Sequence, residues 1–274
     1  MRAGSAFWQR LGLAAFVLVA LGPIAWATLS AFLPTVALTA SPPDLAPSNL
    51  TLANFREVLS NTRDLGQGLR NSALVASVTA LVSLGVGSTA AYALSRLGLP
   101  GAGRILLVIL ATQMFPAIVL VIPLFILLAR LHLIDSLVGL SFVYLSFTLP
   151  VVIWVLKGFF DALPPELERA AQVDGAGPIT AFRLVVLPLS LPALFAAGVF
   201  AFIEAWNEFF FAVILTRIES KTAPVAIAEF SGQYQTLYGQ MVAAAVLASL
   251  PVVALAIVFR RQIVKGFVEG AVKG

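Results

Sequence analysis

Apolar residues in this chain gather into six long runs separated by short polar stretches. Each run can cross about 30 Å of hydrocarbon as a helix, which takes roughly 20 residues. The runs predict spans over Leu11–Leu33, Ser72–Leu94, Ile105–Leu128, Leu137–Leu156, Leu189–Leu215 and Met241–Phe259. Lipid offers no hydrogen-bond partners, so each run has to satisfy its own backbone and is expected to be helical. The fold class that follows is an all-α integral membrane protein, read as one transmembrane domain over residues 1–274. Arg2 and Arg10 precede the first run, and Ala25-Trp26-Ala27 resembles a cleavage site. Because the run continues through Pro23 to Leu33, an uncleaved anchor is expected rather than a signal peptide.

Composition narrows the class. Hydrophobic residues make up 60% of the chain, charged residues 11%, and the mean hydropathy is +0.99. A soluble domain carries about 25% charge. The net charge of +4 is spread along the chain, which speaks for orientation in a bilayer and against nucleic-acid binding. With no cysteine, disulfides and thiolate chemistry are excluded. The single histidine, His132, has no second histidine to share a metal and is read as a loop residue.

With the N-terminus inside, eleven Lys and Arg fall on inner segments and six on outer ones. This asymmetry predicts both termini in the cytoplasm. It places the long polar stretch 157–188 there too.

That stretch holds the clearest local design. Pro164 and Pro165 suit a helix's first turn, and Glu166 and Glu168 sit near its positive end. Leu167, Ala170, Ala171 and Asp174 fall at i, i+3, i+4 and i+7, a narrow and mostly small face. Gly175 and Gly177 end the helix and Pro178 can open another. A helix lying on the bilayer would account for the pattern, but its polar face offers lipid only the cation Arg169. A knob that docks on a soluble partner fits better.

Ala170-Ala171, Gly175-Ala176, Phe182 and Leu187-Pro188 resemble the EAA loop of permease subunits in binding-protein-dependent ABC importers. Ala91 through Arg96, Ala205-Trp206-Asn207-Glu208-Phe209 and the closing Gly270-Ala271-Val272-Lys273-Gly274 are similar to the carbohydrate permeases of that family. The resemblance implies the type I ABC importer permease fold, with the loop helix docking on an ATPase subunit through Glu166, Glu168, Arg169, Ala170, Ala171, Asp174 and Gly175. Arg169 stands where the family carries Glu directly before the two alanines, and Glu168 lies one place earlier. The implied partners are a second permease subunit in a heterodimer, two ATPase subunits that bind ATP and Mg, and an extracytoplasmic sugar-binding protein. The implied setting is the inner membrane of a prokaryote, crossed several times. No cofactor is expected on this chain.

Polar residues inside the spans mark a candidate path for solute. Glu204, Asn207, Glu208 and Phe211 share one predicted helical face, and carboxylates facing lipid would cost a few kcal/mol each. The face is therefore expected to point inward, as a buried polar network or as a lining for a polar solute. Asn and Glu beside an aromatic such as Trp206 suit sugar hydroxyls and the apolar face of a pyranose. Gln113, in a span that Pro116 and Pro123 should kink, makes either an interhelical hydrogen bond or a substrate contact. Tyr144 in the fourth span completes the path residues. The polar loop from Ser231 to Tyr238 suits a binding protein, and ordinary loop polarity explains it as well.

No Gly-Lys dipeptide occurs, so no GxxxxGK[ST] phosphate loop exists in this chain. The expected activity is that of the transmembrane subunit of an ATP-driven importer for a maltose- or trehalose-type sugar, not of an enzyme. Two alternatives follow from the same carboxylates. One is a proton-coupled secondary transporter using Glu204 or Glu208. The other is an intramembrane enzyme, which would need two carboxyls facing one scissile bond.

Overall fold

The computed structural model describes residues 2–60, 62–232 and 236–271, with side chains placed for 8–60, 65–232 and 236–260. In chain order, the first helices are α1 (Arg2–Ala31), α2 (Thr35–Thr39), α3 (Ala53–Ser60) and α4 (Thr62–Arg96). Then come α5 (Ala102–Ala111), α6 (Ala117–Arg130), α7 (Leu137–Ala162), α8 (Glu166–Val173), α9 (Pro178–Ala181) and α10 (Leu187–Leu189). The last are α11 (Leu191–Asn207), α12 (Phe210–Leu215), α13 (Ala223–Ala228) and α14 (Tyr238–Ala271). Gln233, Tyr234 and Gln235 of the candidate outer loop, and Val272–Gly274 of the tail, lie outside the described residues.

The chain divides into two compact units, Met1–Gln67 with Pro224–Leu250 and Gly68–Ala223 with Pro251–Gly274. In the first unit, Asn54 ties α3 to the end of α1. Its Nδ2 donates to the carbonyls of Ala31 at 2.9 Å and Leu33 at 2.8 Å. Phe32 and Phe55 pack alongside, with ring centroids 5.0 Å apart.

The core of the second unit lies between α4, α7 and α11. Leu156 and Phe160 of α7 are buried against Ala91 and Tyr92 of α4 and against Ala193, Ala197 and Ala201 of α11. The alanines recur every four residues, so α11 presents a small-residue stripe that lets helix backbones approach closely, the usual solution where lipid supplies no hydrophobic drive. Gly87 plays the same part on α4, because a Cβ there would sit 2.8 Å from Val152 Cγ1. Buried Ser83 and Thr148 share a hydrogen bond of 2.9 Å across the α4–α7 contact.

Among the described residues, four helices are long and apolar enough to span a membrane, at Trp8–Ala31, Leu65–Arg96, Leu137–Ala162 and Tyr238–Arg260. The other two predicted spans are broken. In the third, helical segments Ala102–Met114 and Ala117–Arg130 meet at 93°. The fifth is preceded by Pro178–Leu189, which meets Leu191–Asn207 at 79° at the very start of the predicted run. Thus the third run is sharply divided at Phe115-Pro116, beyond the kink its sequence predicted. The cause is local. Pro116 lacks an N–H and forces Phe115 into an extended conformation (ψ 126°). Pro123, by contrast, is accommodated inside α6.

The fifth run also departs from a single helix. Its α11 stops at Asn207, Glu208 is extended, and α12 begins at Phe210. Ahead of α11, residues 182–186 form a π turn in which the Leu187 N–H reaches the Phe182 carbonyl. Pro188 cannot supply an α-helical N–H there, and a π bulge absorbs the mismatch. The polar stretch 157–188 is likewise less of a loop than its composition suggested, because α7 continues through Ala162.

Candidate functional site

Two sites emerge in the second unit, and each is built by interruptions in helices. The first is α8. Pro164 and Pro165 accept its opening N–H groups, from Leu167 at 3.3 Å and Arg169 at 3.1 Å. At the other end Gly175 takes the left-handed conformation (φ 88°), its N–H meets the Gln172 carbonyl, and the Ala176 N–H meets that of Ala171. This paired arrangement is the Schellman closure that glycine favours.

Most of α8 faces outward. Glu166, Leu167, Arg169, Ala170 and Val173 are exposed, Val173 at 88%, as are Asp174 and Gly175 beyond the helix. Glu168 is the exception, with 8% exposure. Its Oε2 lies 3.2 Å from Arg96 Nε, an ion pair in which the Nε–H is not aligned for a hydrogen bond. Its Oε1 accepts from the Tyr92 hydroxyl at 2.8 Å. The structure therefore separates Glu168 from the other docking candidates: it holds α8 to its own chain and leaves Arg169 outside, with no ion pair among the described residues. One residue of helix turns a side chain by about 100°, enough to bury Glu168 while Arg169 faces solvent.

The second site is a cavity of about 290 Å³ where the two broken spans meet α7. Gln113 and Ala117 come from either side of the α5–α6 break, Tyr144 and Thr148 from α7, and Glu204 and Glu208 from either side of the end of α11. Phe147, Phe200 and Phe211 supply aromatic walls. Irregular backbone at membrane depth is tolerated where it lines such a cavity.

Its two carboxylates are not equivalent. Glu208 Oε1 accepts the Phe211 N–H at 2.9 Å and Oε2 the Ala212 N–H at 3.1 Å. These are the orphan donors of α12, and a carboxylate at a helix N-terminus is favourable. Glu204 is exposed to the cavity and makes no hydrogen bond or ion pair among the described residues. It is free to accept donors from a solute.

Residues 83–268 match the family described as "Binding-protein-dependent transport system inner membrane component". The chain belongs to this family. It is 39% identical to the trehalose transport system permease protein SugB of Mycobacterium tuberculosis, over 93% of each chain. Identity is 36% to the trehalose/maltose transport system permease protein MalG of Thermococcus litoralis, over 96% of this chain and 95% of that one. Among solved structures, a chain of a bacterial ABC transporter involved in the import of the acidic polysaccharide alginate superposes with a TM-score of 0.74. That match covers 95% of this chain and 98% of the other at 24% identity, and it shows the fold, that of a type I ABC importer permease.

The permease is thus a multi-pass membrane transport subunit, and its family is one of transport subunits rather than enzymes. Membership does not favour the proton-coupled alternative. Of the predicted path residues, Gln113, Tyr144, Glu204 and Glu208 line one cavity. Asn207 is exposed and off its wall, and the shared helical face drawn through Asn207, Glu208 and Phe211 is interrupted by the end of α11. Trp206 is buried and stacks on Phe202 at 5.6 Å, so it faces the helix packing and not the cavity. The aromatic surface expected from it comes instead from Phe147, Phe200 and Phe211.

Two features of the permease escaped the sequence pattern. Tyr92 and Arg96 pair with Glu168 across 72 or more residues of chain, a distance that no local pattern bridges. The other is Asp135 in the α6–α7 turn, with φ 55°. Its carboxylate gathers the backbone N–H groups of Arg217, Ile218, Glu219 and Ser220 at 2.9–3.1 Å. Burial raises this carboxyl's pKa, but the four N–H donors outweigh it and hold the group well below the usual carboxylate range.

Proposed function

We propose that this permease is the membrane-spanning subunit of an ATP-driven importer for a trehalose- or maltose-type sugar. The observation that carries the sugar assignment is the cavity at the two span breaks, where free Glu204, Gln113 and Tyr144 stand among aromatic walls. Sugar hydroxyls need accepting and donating groups, and the faces of sugar rings pack on aromatic surface. At about 290 Å³ the cavity is at the small end for ligand pockets. A second permease subunit would complete the enclosure. The names of the relatives, trehalose and trehalose/maltose permeases, agree with this class.

In this reading the chain pairs with that second permease, two ATPase subunits carry ATP and Mg, and a binding protein delivers sugar from outside. The prokaryotic inner membrane is the setting, with both termini and α8 on the cytoplasmic face. Closure of the ATPases on nucleotide displaces α8, and the spans shift between inward- and outward-open states. The bias comes from the difference in nucleotide affinity between the two states.

The test is uptake of labelled trehalose and maltose by proteoliposomes holding the complete complex, with ATP on the ATPase side and binding protein on the other. Uptake of either sugar that requires ATP and survives a proton uncoupler supports the reading. Uptake that ignores ATP and collapses with the uncoupler overturns it.

A further inference from the structure

A force applied to α8 can enter the rest of the second unit through the 178–186 segment it packs against and through its buried side chain. The helix is exposed along most of its surface, and its C-terminal connection passes through Gly175 and Gly177. What it does own is one buried carboxylate, Glu168, and that group sits where several helices end.

Arg96 closes α4. While its Nε faces Glu168, its Nη2 donates to the carbonyls of Phe160 and Leu163, each at 2.6 Å, at the C-terminal end of α7. One planar guanidinium thus touches α4's partner helix and α8 at once, a geometry that lysine could not copy. The Tyr92 hydroxyl lies 2.8 Å from Glu168 and 3.1 Å from the Pro178 carbonyl, where α9 begins. Its ring packs on Phe182 at 4.6 Å, and Phe160 meets Phe182 edge-on at 6.4 Å. The cluster is desolvated, so its charged contacts are stiff and costly to break singly.

We propose that Tyr92, Arg96 and Glu168 form a strut that passes displacement of α8 into α4 and α7, and through them to the cavity. Tyr92 is nine residues from Ser83, about 14 Å along the helix at 1.5 Å per residue. Ser83 bonds Thr148, and Thr148 is part of the cavity wall. None of the three lines the cavity. They are positioning residues, and their effect is on how much transport each hydrolysed ATP yields.

This inference rests on the importer reading, and the experiment separates the two. The complete complex in proteoliposomes is assayed for ATP hydrolysed per molecule of labelled trehalose or maltose imported, and for retention of ATPase subunits by size exclusion. Glu168→Gln and Arg96→Gln should each keep the ATPase subunits bound while raising the ATP-to-sugar ratio at least threefold. The double variant should be no worse than either single, since both remove the same link. Tyr92→Phe keeps the ring packing and should shift the ratio in the same direction by less, which guards against variants that fail to assemble. Unchanged ratios, effects of the two single variants that multiply in the double, or uptake that falls only as ATPase subunits are lost would overturn the strut. A wild-type complex that imports neither sugar with ATP would overturn the importer reading and the strut with it.

Discussion

Asp135 Oδ1 accepts both the backbone N–H of Ser220, at 3.0 Å, and its hydroxyl, at 2.8 Å. With Arg217, Ile218 and Glu219 also donating, a turn between two helices grips a loop 82 or more residues away. Replacing Asp135 with Asn removes the charge and half the accepting capacity. We expect a stability loss of about 1.5–3 kcal/mol, the range for hydrogen bonds to a charged group. Thermal unfolding in detergent measures it. Because folding lowers this carboxyl's pKa, its contribution is complete above the unfolded value of about 3.9 and falls away as pH drops toward the folded one. The gap between wild type and Asp135→Asn should therefore hold at pH 7 and narrow from about pH 4 downward. A gap that widens in acid would contradict this.

The cavity carboxylates should separate in the laboratory as they do in space. Glu208→Ala strips the cap from α12 and should cost about 1 kcal/mol of stability. Glu204→Gln breaks no bond within the protein, so stability should stay within about 0.5 kcal/mol. Uptake by the Glu204 variant should nonetheless fall about tenfold or more, as expected when an accepting oxygen for a solute hydroxyl is replaced by an amide donor. Unfolding midpoints and sugar uptake on the same preparations decide between these outcomes.

Gly175→Ala tests the shape of the α8 terminus. The left-handed conformation costs a residue with a Cβ roughly 1–2 kcal/mol, although nothing crowds the position itself. Association of the ATPase subunits with the permease in nanodiscs should weaken by about five- to thirtyfold. Gly177, which is extended in this structure, should tolerate alanine with little change.

The unbroken spans and α8 were legible because their signals are local. Apolar length predicts a membrane helix, and Pro164-Pro165 with Gly175 bracket a short one. The breaks were not legible as breaks, since Phe115 and Phe209 keep the hydropathy high across them. Pro116 announced a disturbance, but only the geometry gives its 93°. The end of α11 carries no proline at all. There Glu208 turns outward from the helix to cap the next one, a choice that depends on α12 forming. The same limit applies to α8. Periodicity drew a face through Leu167, Ala170, Ala171 and Asp174, while the side that is anchored belongs to Glu168. Its direction is set by Arg96 and Tyr92, which sequence spacing alone does not connect. Asp135 is a single polar residue in a turn, and its four donors come from a segment without any distinguishing motif.

The paired breaks have an electrical consequence. Pro116 and the extended Glu208 interrupt the helical backbone ladder beside the polar side chains of Gln113 and Glu204. Such groups at membrane depth call for water, which makes the cavity a polar, hydrated pocket within an insulating slab. A cell that maintains a membrane potential pays for any continuous wet path through that slab. The pocket therefore has to be closed toward at least one side in every resting state, and a variant that widened it to both sides would betray itself first as an ion leak and only later as a failure to import.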